Sequence, residues 1–200
     1  MAEVRARVDF KVGPKSDIEA ELLSFNGLAS DKEHVAIIFK RADKINEPPL
    51  VRMHSECLTG DVFHSSRCDC GEQLEETIRV MGEKGGVLLY LRQEGRGIGL
   101  EAKIKAYALQ DVGYDTLDAN LALNLPADAR DYSFCADMLR NVGVTQVKLM
   151  TNNPLKIRGL RSNGIRVEER MPHLAGRCEY NDHYLSTKQK RMGHLIPEQA

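Results

Sequence analysis

The sequence predicts an α/β fold with an antiparallel N-terminal part, and three observations predict it. After residue 50, strand patterns alternate with helix patterns. Before residue 50, alternating apolar and polar runs are separated by glycine, proline and asparagine turn signals. Residues 87–91 (VLLYL) form a continuous apolar run between Gly85-Gly86 and a polar loop, as in a strand buried on both faces.

Each element follows from its own pattern. Residues 6–12 (ARVDFKV) alternate as a strand does and stop at Gly13-Pro14. Ser16 and Glu19 have the spacing of a helix capping box, yet Ile18, Ala20 and Leu22 keep a period of two, which favours a second strand. Asn26-Gly27 marks a turn, and residues 34–40 (HVAIIFK) have the β-branched content of a third strand. Charges and Pro48-Pro49 make 41–49 a loop, followed by a short strand at 50–53. From Gln73, the residues Leu74, Ile78 and Met81 recur at helical spacing until Gly85-Gly86. A helix is expected over 100–111, with Ile104, Tyr107 and Ala108 on one side. Residues 114–131 read as turn and short helix, 132–141 as helix and 146–150 as strand. Thr151-Asn152-Asn153-Pro154 looks like a helix start with proline at its first position; Gly164 closes that helix and a last strand begins over 165–167.

Composition narrows the function classes. The 28 basic and 29 acidic residues nearly cancel, so no general nucleic-acid or membrane surface is expected, and an anionic ligand must meet a local cluster. No apolar run reaches signal-peptide or membrane-spanning length, and a cytoplasmic protein is expected. Five cysteines are an odd count without disulfide regularity. Cys135, in an apolar run, and Cys178, in a polar stretch, read as structural or incidental.

Cys57, Cys68 and Cys70 stand in a C-x10-C-x-C array, and thiols so spaced can converge on one soft cation, of which Zn²⁺ is the usual occupant. Three protein ligands leave one tetrahedral position open, where zinc lowers the pKa of a water to about 7. A structural zinc with His54 or His64 as fourth ligand, or ordinary buried thiols, are the alternatives. The glycine-rich loop 92–99, with Gly95, Gly97, Gly99, Arg92 and Arg96, lies between a buried strand and a helix, where open α/β sheets bind ligands. Its arginines suit phosphate oxygens; a solvated turn is the plain alternative, and no P-loop motif occurs. Thr151-Asn152-Asn153 with Lys156 is a second anion site or a simple helix cap. Alone, Asp128 and Arg130 read as a solvated turn, Tyr107 as a core aromatic and His54 as a hydrogen-bonded interior residue.

Together these pieces resemble GTP cyclohydrolase II. The matching blocks are HSECLTGD and RCDCG (54–61, 67–71), LRQEGRGIGL (91–100), KAYALQDVGYDT (105–116), DARDY (128–132), TNNPLK (151–156) and HYLSTKQKRMGH (183–194), in one register. The resemblance implies a zinc-dependent hydrolysis of GTP that opens the imidazole ring and releases formate and diphosphate, leaving 2,5-diamino-6-(5-phosphoribosylamino)pyrimidin-4(3H)-one, the first step of riboflavin synthesis or a related pathway. By matching position it implies Cys57, Cys68 and Cys70 as zinc ligands. It implies Arg52, Met53, His54, Ser55, Glu56, Gln73, Glu94, Gly95, Arg96, Thr116, Thr151 and Lys156 as GTP contacts. Asp128 becomes the proton acceptor, Arg130 the residue that attacks the α-phosphorus and Tyr107 a residue of ring opening. It further implies Mg²⁺ on the substrate phosphates, a homodimer, and a mixed sheet with helices on both faces. The chain is expected to be one domain over 1–200, with antiparallel strands in 1–48 and the catalytic core in 49–194, and to be monofunctional.

The chemistry supports these roles unequally. A guanidinium stays protonated up to a pKa of about 12 or more, so an electrostatic clamp on the triphosphate is the more conservative role for Arg130. Either Glu56 or Glu94 has the acceptor geometry to read the guanine N1–H and amine. A nucleobase deaminase shares the H-x-E half of its signature with His54-Ser55-Glu56, but P-C-x-x-C is missing. A zinc-stabilised binding module without turnover is the other rival.

Overall fold

The structure is a computed structural model that describes residues 2–40, 48–126, 128–173, 175 and 193–195. Most of the expected 41–49 loop, Cys178 and all but the last two residues of the 183–194 block lie outside the described residues. In chain order the strands are β1 (Glu3–Val12), β2 (Ile18–Asn26), β3 (Val35–Phe39), β4 (Leu50–Ser55), β5 (Gly86–Leu91), β6 (Gln146–Met150) and β7 (Arg166–Met171). The helices are α1 (Leu58–Asp61), α2 (Cys70–Lys84), α3 (Leu100–Asp111), α4 (Thr116–Ala122), α5 (Phe134–Asn141) and α6 (Pro154–Ser162). The chain divides into two compact units: residues 1–54, 74–92 and 131–173 make one, and 55–73, 93–130 and 174–200 the other.

The first unit is built on a seven-stranded sheet of order β1-β2-β3-β5-β4-β6-β7. β1, β2, β3 and β5 pair antiparallel in that order, and β4, β6 and β7 pair parallel, so the sheet is mixed, as expected. At residues 16–22 a strand forms in place of the capped helix: β2 starts at Ile18 and packs Ala20 into one apolar cluster and Leu23 into the other, one on each face, with Leu22 half-buried.

Alternation along the strands sends side chains to opposite faces, and helices cover both. Val51, Met53, Val87, Leu89, Leu91, Val147 and Leu149 pack with Phe134, Met138 and Leu139 of α5 and Leu160 of α6. Their neighbours Leu50, Leu88 and Met150 pack with Val80 and Met81 of α2. Burying each such side chain stabilises the fold by ~1.5–3 kcal/mol. Cys135 lies in the first of these clusters, fully buried, where burial pushes its thiol up; it is a packing residue, as its apolar surroundings predict. α5 begins at Phe134, later than the expected 132, because the Asp131 carboxylate accepts from the Ser133 N–H and hydroxyl and holds 131–133 as a turn.

In the second unit the apolar pattern of α3 misleads. Ile104 is 56% exposed, and the buried residues of α3 are Lys103 and Ala106. Lys103 is inside because acceptors surround it, as described below. α4 is capped by Asp115, whose carboxylate accepts from the N–H groups of Leu117 and Asp118.

One buried histidine fixes how β5 ends. The Arg92 N–H donates to His34 Nδ1 over 3.0 Å, so Nε2 carries the ring proton and donates to Ser30 Oγ over 2.7 Å. The ring also stacks on Phe134 at 4.2 Å. Burial, then the Arg92 charge, lowers its pKa to about 4. The unfolded chain takes up a proton near pH 6.5 while the folded chain stays neutral down to about 4. Stability is therefore full above 6.5 and falls as pH drops toward 4, by about 3 kcal/mol at most. Urea unfolding at pH 7 and pH 4.5 is expected to show that loss, and to show a smaller one in His34→Gln.

Candidate active site

Local sequence brings the three cysteines together. Cys57 stands at the N-cap of α1, where its N–H donates to Asp61 Oδ2 over 3.0 Å. Cys70 opens α2, and Cys68 precedes it by two residues. Two glycines make the convergence possible: a Cβ on Gly60 would lie 2.9 Å from both Cys68 Sγ and Cys70 Cβ, and one on Gly71 would lie 2.4 Å from the Gly60 carbonyl oxygen. Cys57 Sγ and Cys68 Sγ are 3.6 Å apart, and the three ligand atoms lie within 4.8 Å of one another. A tetrahedral zinc, about 2.3 Å from each sulfur, places sulfurs about 3.8 Å apart, so these residues fit the metal. Among the described residues the cluster comprises three cysteines and no histidine.

The thiols share charge unequally. Hydrogen bonds from Cys68 and Cys70 hold the Cys57 thiol far below its ordinary range against the opposing effect of burial, and the Lys103 charge adds to this. Its bond to Cys57 pushes Cys68 up to about 11, and bonds to both partners, then burial, raise Cys70.

Lys103 joins the sulfur to the glycine-rich loop. Its Nζ donates to Cys57 Sγ at 3.1 Å, to Thr59 Oγ1 at 2.9 Å and to Glu94 Oε1 at 2.9 Å. Burial works to lower this ammonium, but the Glu94 carboxylate and the Cys57 sulfur outweigh it and hold it above the ordinary lysine range. Glu94 also accepts from the Leu58 N–H at 2.7 Å and from its neighbour Gly95 N–H at 2.8 Å. Glu94 is thus a brace for two backbone segments as well as the partner of a buried cation. The loop forms a 3-10 turn over Glu94–Gly97 with left-handed backbone at Gly95 and Arg96, φ 61° and 62°. It packs on the 128–130 segment: the Ala129 N–H donates to the Arg96 carbonyl, and a Cβ on Gly97 would meet the Ala129 carbonyl carbon at 3.1 Å.

Asp128 and Arg130 are an ion pair, not a solvated turn. Arg130 reaches Asp128 through its backbone N–H at 3.0 Å, Nε at 2.8 Å and Nη2 at 2.5 Å, and the side chains are 11% and 12% exposed. Burial alone raises the Asp128 carboxyl, but the Arg130 bonds and the Arg96 charge outweigh it and lower its pKa. Tyr107 is held between cations, with Arg67 Cζ at 5.1 Å and Lys103 Nζ at 5.6 Å from its ring centroid. Arg67 is itself anchored to Asp111 at 2.7 Å. One pocket of this unit is lined by the three cysteines together with Ser55, Glu56, Glu94, Gly95, Arg96, Tyr107 and Arg130. Gln73, on the first turn of α2, donates to Asp69, and Thr116 is the first residue of α4.

Other expected contacts sit in the sheet unit. Arg52, Met53 and His54 are buried on β4: Arg52 Nη1 donates to the Met150 carbonyl, and His54 stacks on Tyr90 at 5.6 Å. Lys156, on the first turn of α6, donates to the Met53 carbonyl over 2.5 Å. Thr151 Oγ1 accepts from the Asn153 N–H, and Asn153 caps α6 through the Leu155 N–H. Arg92, paired with Arg96 by its sequence, has an exposed side chain, and its N–H is the one held by His34.

Lys103, Thr59, Gly60 and Asp61 are the site residues that sequence reasoning missed. Thr59, Gly60 and Asp61 carried a faint signal, lying within four residues of Cys57. Lys103 carried none, since a helical lysine reads as solvated by default.

Residues 7–172 match the family model for GTP cyclohydrolase II. The GTP cyclohydrolase-2 of Vibrio cholerae serotype O1 is 61% identical over 196 residues, covering 98% of this chain and 99% of that one. That of Vibrio vulnificus is 62% identical with the same coverage, and that of Psychromonas ingrahamii 52% identical over 98% of both chains.

Proposed function

This chain belongs to the GTP cyclohydrolase II family, and on that premise we propose that it hydrolyses GTP, opening the imidazole ring with release of formate and diphosphate. The product is 2,5-diamino-6-(5-phosphoribosylamino)pyrimidin-4(3H)-one, at the start of riboflavin synthesis or a pathway sharing that pyrimidine. The observation that carries the reading is the convergence of Cys57, Cys68 and Cys70 in one pocket with Tyr107 and Arg130.

Cys57, Cys68 and Cys70 would hold zinc. Bound there, it would supply a Lewis acid that lowers the pKa of a water toward neutrality. The residues of the chain do the rest. Tyr107, steadied by Arg67 and Lys103, orients the water or relays a proton through its hydroxyl. Arg130, aligned by its bonds to Asp128, clamps the phosphates as negative charge builds on the departing diphosphate. Arg96, on the strained loop, adds a second guanidinium to that pocket. Glu56 or Glu94, both of which line the pocket, reads the guanine edge; Glu94 also holds Leu58, Gly95 and Lys103, so Glu56 is the carboxylate whose substitution tests the reading most cleanly. Ser55, Gln73, Gly95, Thr116, Arg52, Met53, His54, Thr151 and Lys156 are carried as GTP contacts on the resemblance. Mg²⁺ on the phosphates, a homodimer and a cytoplasmic location complete the proposal.

The test is to incubate zinc-loaded protein with GTP and Mg²⁺ and measure formate, diphosphate and ammonia, with ATP in parallel. Formate and diphosphate in equal amounts from GTP are expected. Ammonia in place of formate makes the protein a deaminase, and bound GTP without either product makes it a binding module. Glu56→Gln is expected to narrow the preference for GTP over ATP; an unchanged ratio removes Glu56 from that role.

A further inference from the structure

We propose that Lys103 is a positioning residue for the metal centre, its ammonium setting the donor strength of the Cys57 thiolate and fastening that sulfur to the glycine-rich loop. The inference rests on the proposed reading of the cysteines as zinc ligands. It starts from geometry: Nζ has three acceptors, Cys57 Sγ at 3.1 Å, Thr59 Oγ1 at 2.9 Å and Glu94 Oε1 at 2.9 Å. An ammonium has three N–H donors, so every one is used. The residue is 8% exposed, and a charge so placed persists only where it is paired and hydrogen-bonded.

The chemistry gives that arrangement a purpose. Three thiolates around a divalent cation leave a net charge of about −1 and push electron density onto the metal, which weakens it as a Lewis acid. A hydrogen bond from a cation to one sulfur withdraws density from that thiolate, and the ammonium charge offsets the excess. Cys57 is also held from its backbone, since its N–H donates to Asp61. Glu94 links the same ammonium to the N–H groups of Leu58 and Gly95, so the sulfur, the start of α1 and the glycine-rich loop share one network. A buried ion pair by itself is weak evidence of stabilisation, and a role confined to packing predicts that an unbranched apolar side chain would serve as well.

Cobalt(II) in place of zinc provides the readout, because its sulfur-to-metal charge-transfer absorption follows thiolate donor strength. In Lys103→Met the absorption is expected to move to lower energy, and chelator competition is expected to show zinc held about 10- to 100-fold more weakly. Lys103→Arg is expected to recover part of both. Should the methionine variant not fold, Lys103→Gln keeps an N–H donor without the charge, and its absorption is expected between the other two. A folded Met or Gln variant with wild-type absorption and wild-type zinc affinity overturns the proposal. Wild-type protein that takes up neither cobalt nor zinc stoichiometrically removes the metal reading itself, and that outcome is seen before any variant is compared.

Discussion

Cys68→Ser is expected to lose stoichiometric zinc and, with it, formate release from GTP. The serine oxygen is a harder and shorter donor than the sulfur it replaces, and only Cys57 and Cys70 remain as soft ligands. The Lewis acid is worth several kcal/mol of charge stabilisation, so ring opening is expected to fall by on the order of 10³-fold or more. The fold is expected to survive. Serine is smaller than the cysteine it replaces and meets no Cβ at the neighbouring Gly60, so it fits the site without strain. Zinc content, circular dichroism and formate from one preparation check all three statements. Zinc lost with formate retained would make the metal structural, and zinc retained with formate lost would move the chemistry elsewhere in the pocket.

How far sequence reaches depends on whether the signal is local. C-x10-C-x-C is a short-range pattern, and the structure brings those three sulfurs together. The buried run 87–91 is equally local, and β5 lies inside the sheet, between β3 and β4. Its neighbours were not legible, because pairing β5 with β3 and β4 depends on contacts across tens of residues that no local period encodes. The site divides in the same way. Asp128 and Arg130, two residues apart, read as a solvated turn, and only the burial of the segment, with its backbone bond to Arg96, makes them a shielded pair. Lys103 failed for a related reason. Helical periodicity placed Ile104 and Ala108 inward, yet polar acceptors from residues 57, 59 and 94 outweigh it and draw a cation into the interior. At residue 103, where periodicity and burial disagree, the buried cation belongs to the candidate site.

The second large effect is expected at Arg130, and it separates a clamp from a nucleophile. To attack phosphorus the guanidinium must first give up a proton, and Asp128 is the acceptor at hand. Moving a proton from a group with a pKa near 12 or above to a carboxylate below about 3.9 is uphill by at least about 11 kcal/mol. The pair is arranged against the transfer, since its own bonds and the Arg96 charge lower the Asp128 pKa. By the same sign, Asp128 stabilises the fold above the ordinary carboxylate range and loses that contribution only as pH falls through its lowered pKa. A clamp therefore predicts a graded series. Arg130→Ala is expected to slow diphosphate release by about 10²–10³-fold, Arg130→Lys to recover part of that by keeping the charge without the fork, and Asp128→Asn to fall between them because the guanidinium loses its alignment. Alkaline quench of a single turnover with GTP labelled at the α-phosphate, conditions that spare an N–P bond, is expected to leave the protein unlabelled. Label that maps to residue 130, and disappears in Arg130→Lys, would overturn the clamp and establish the covalent route.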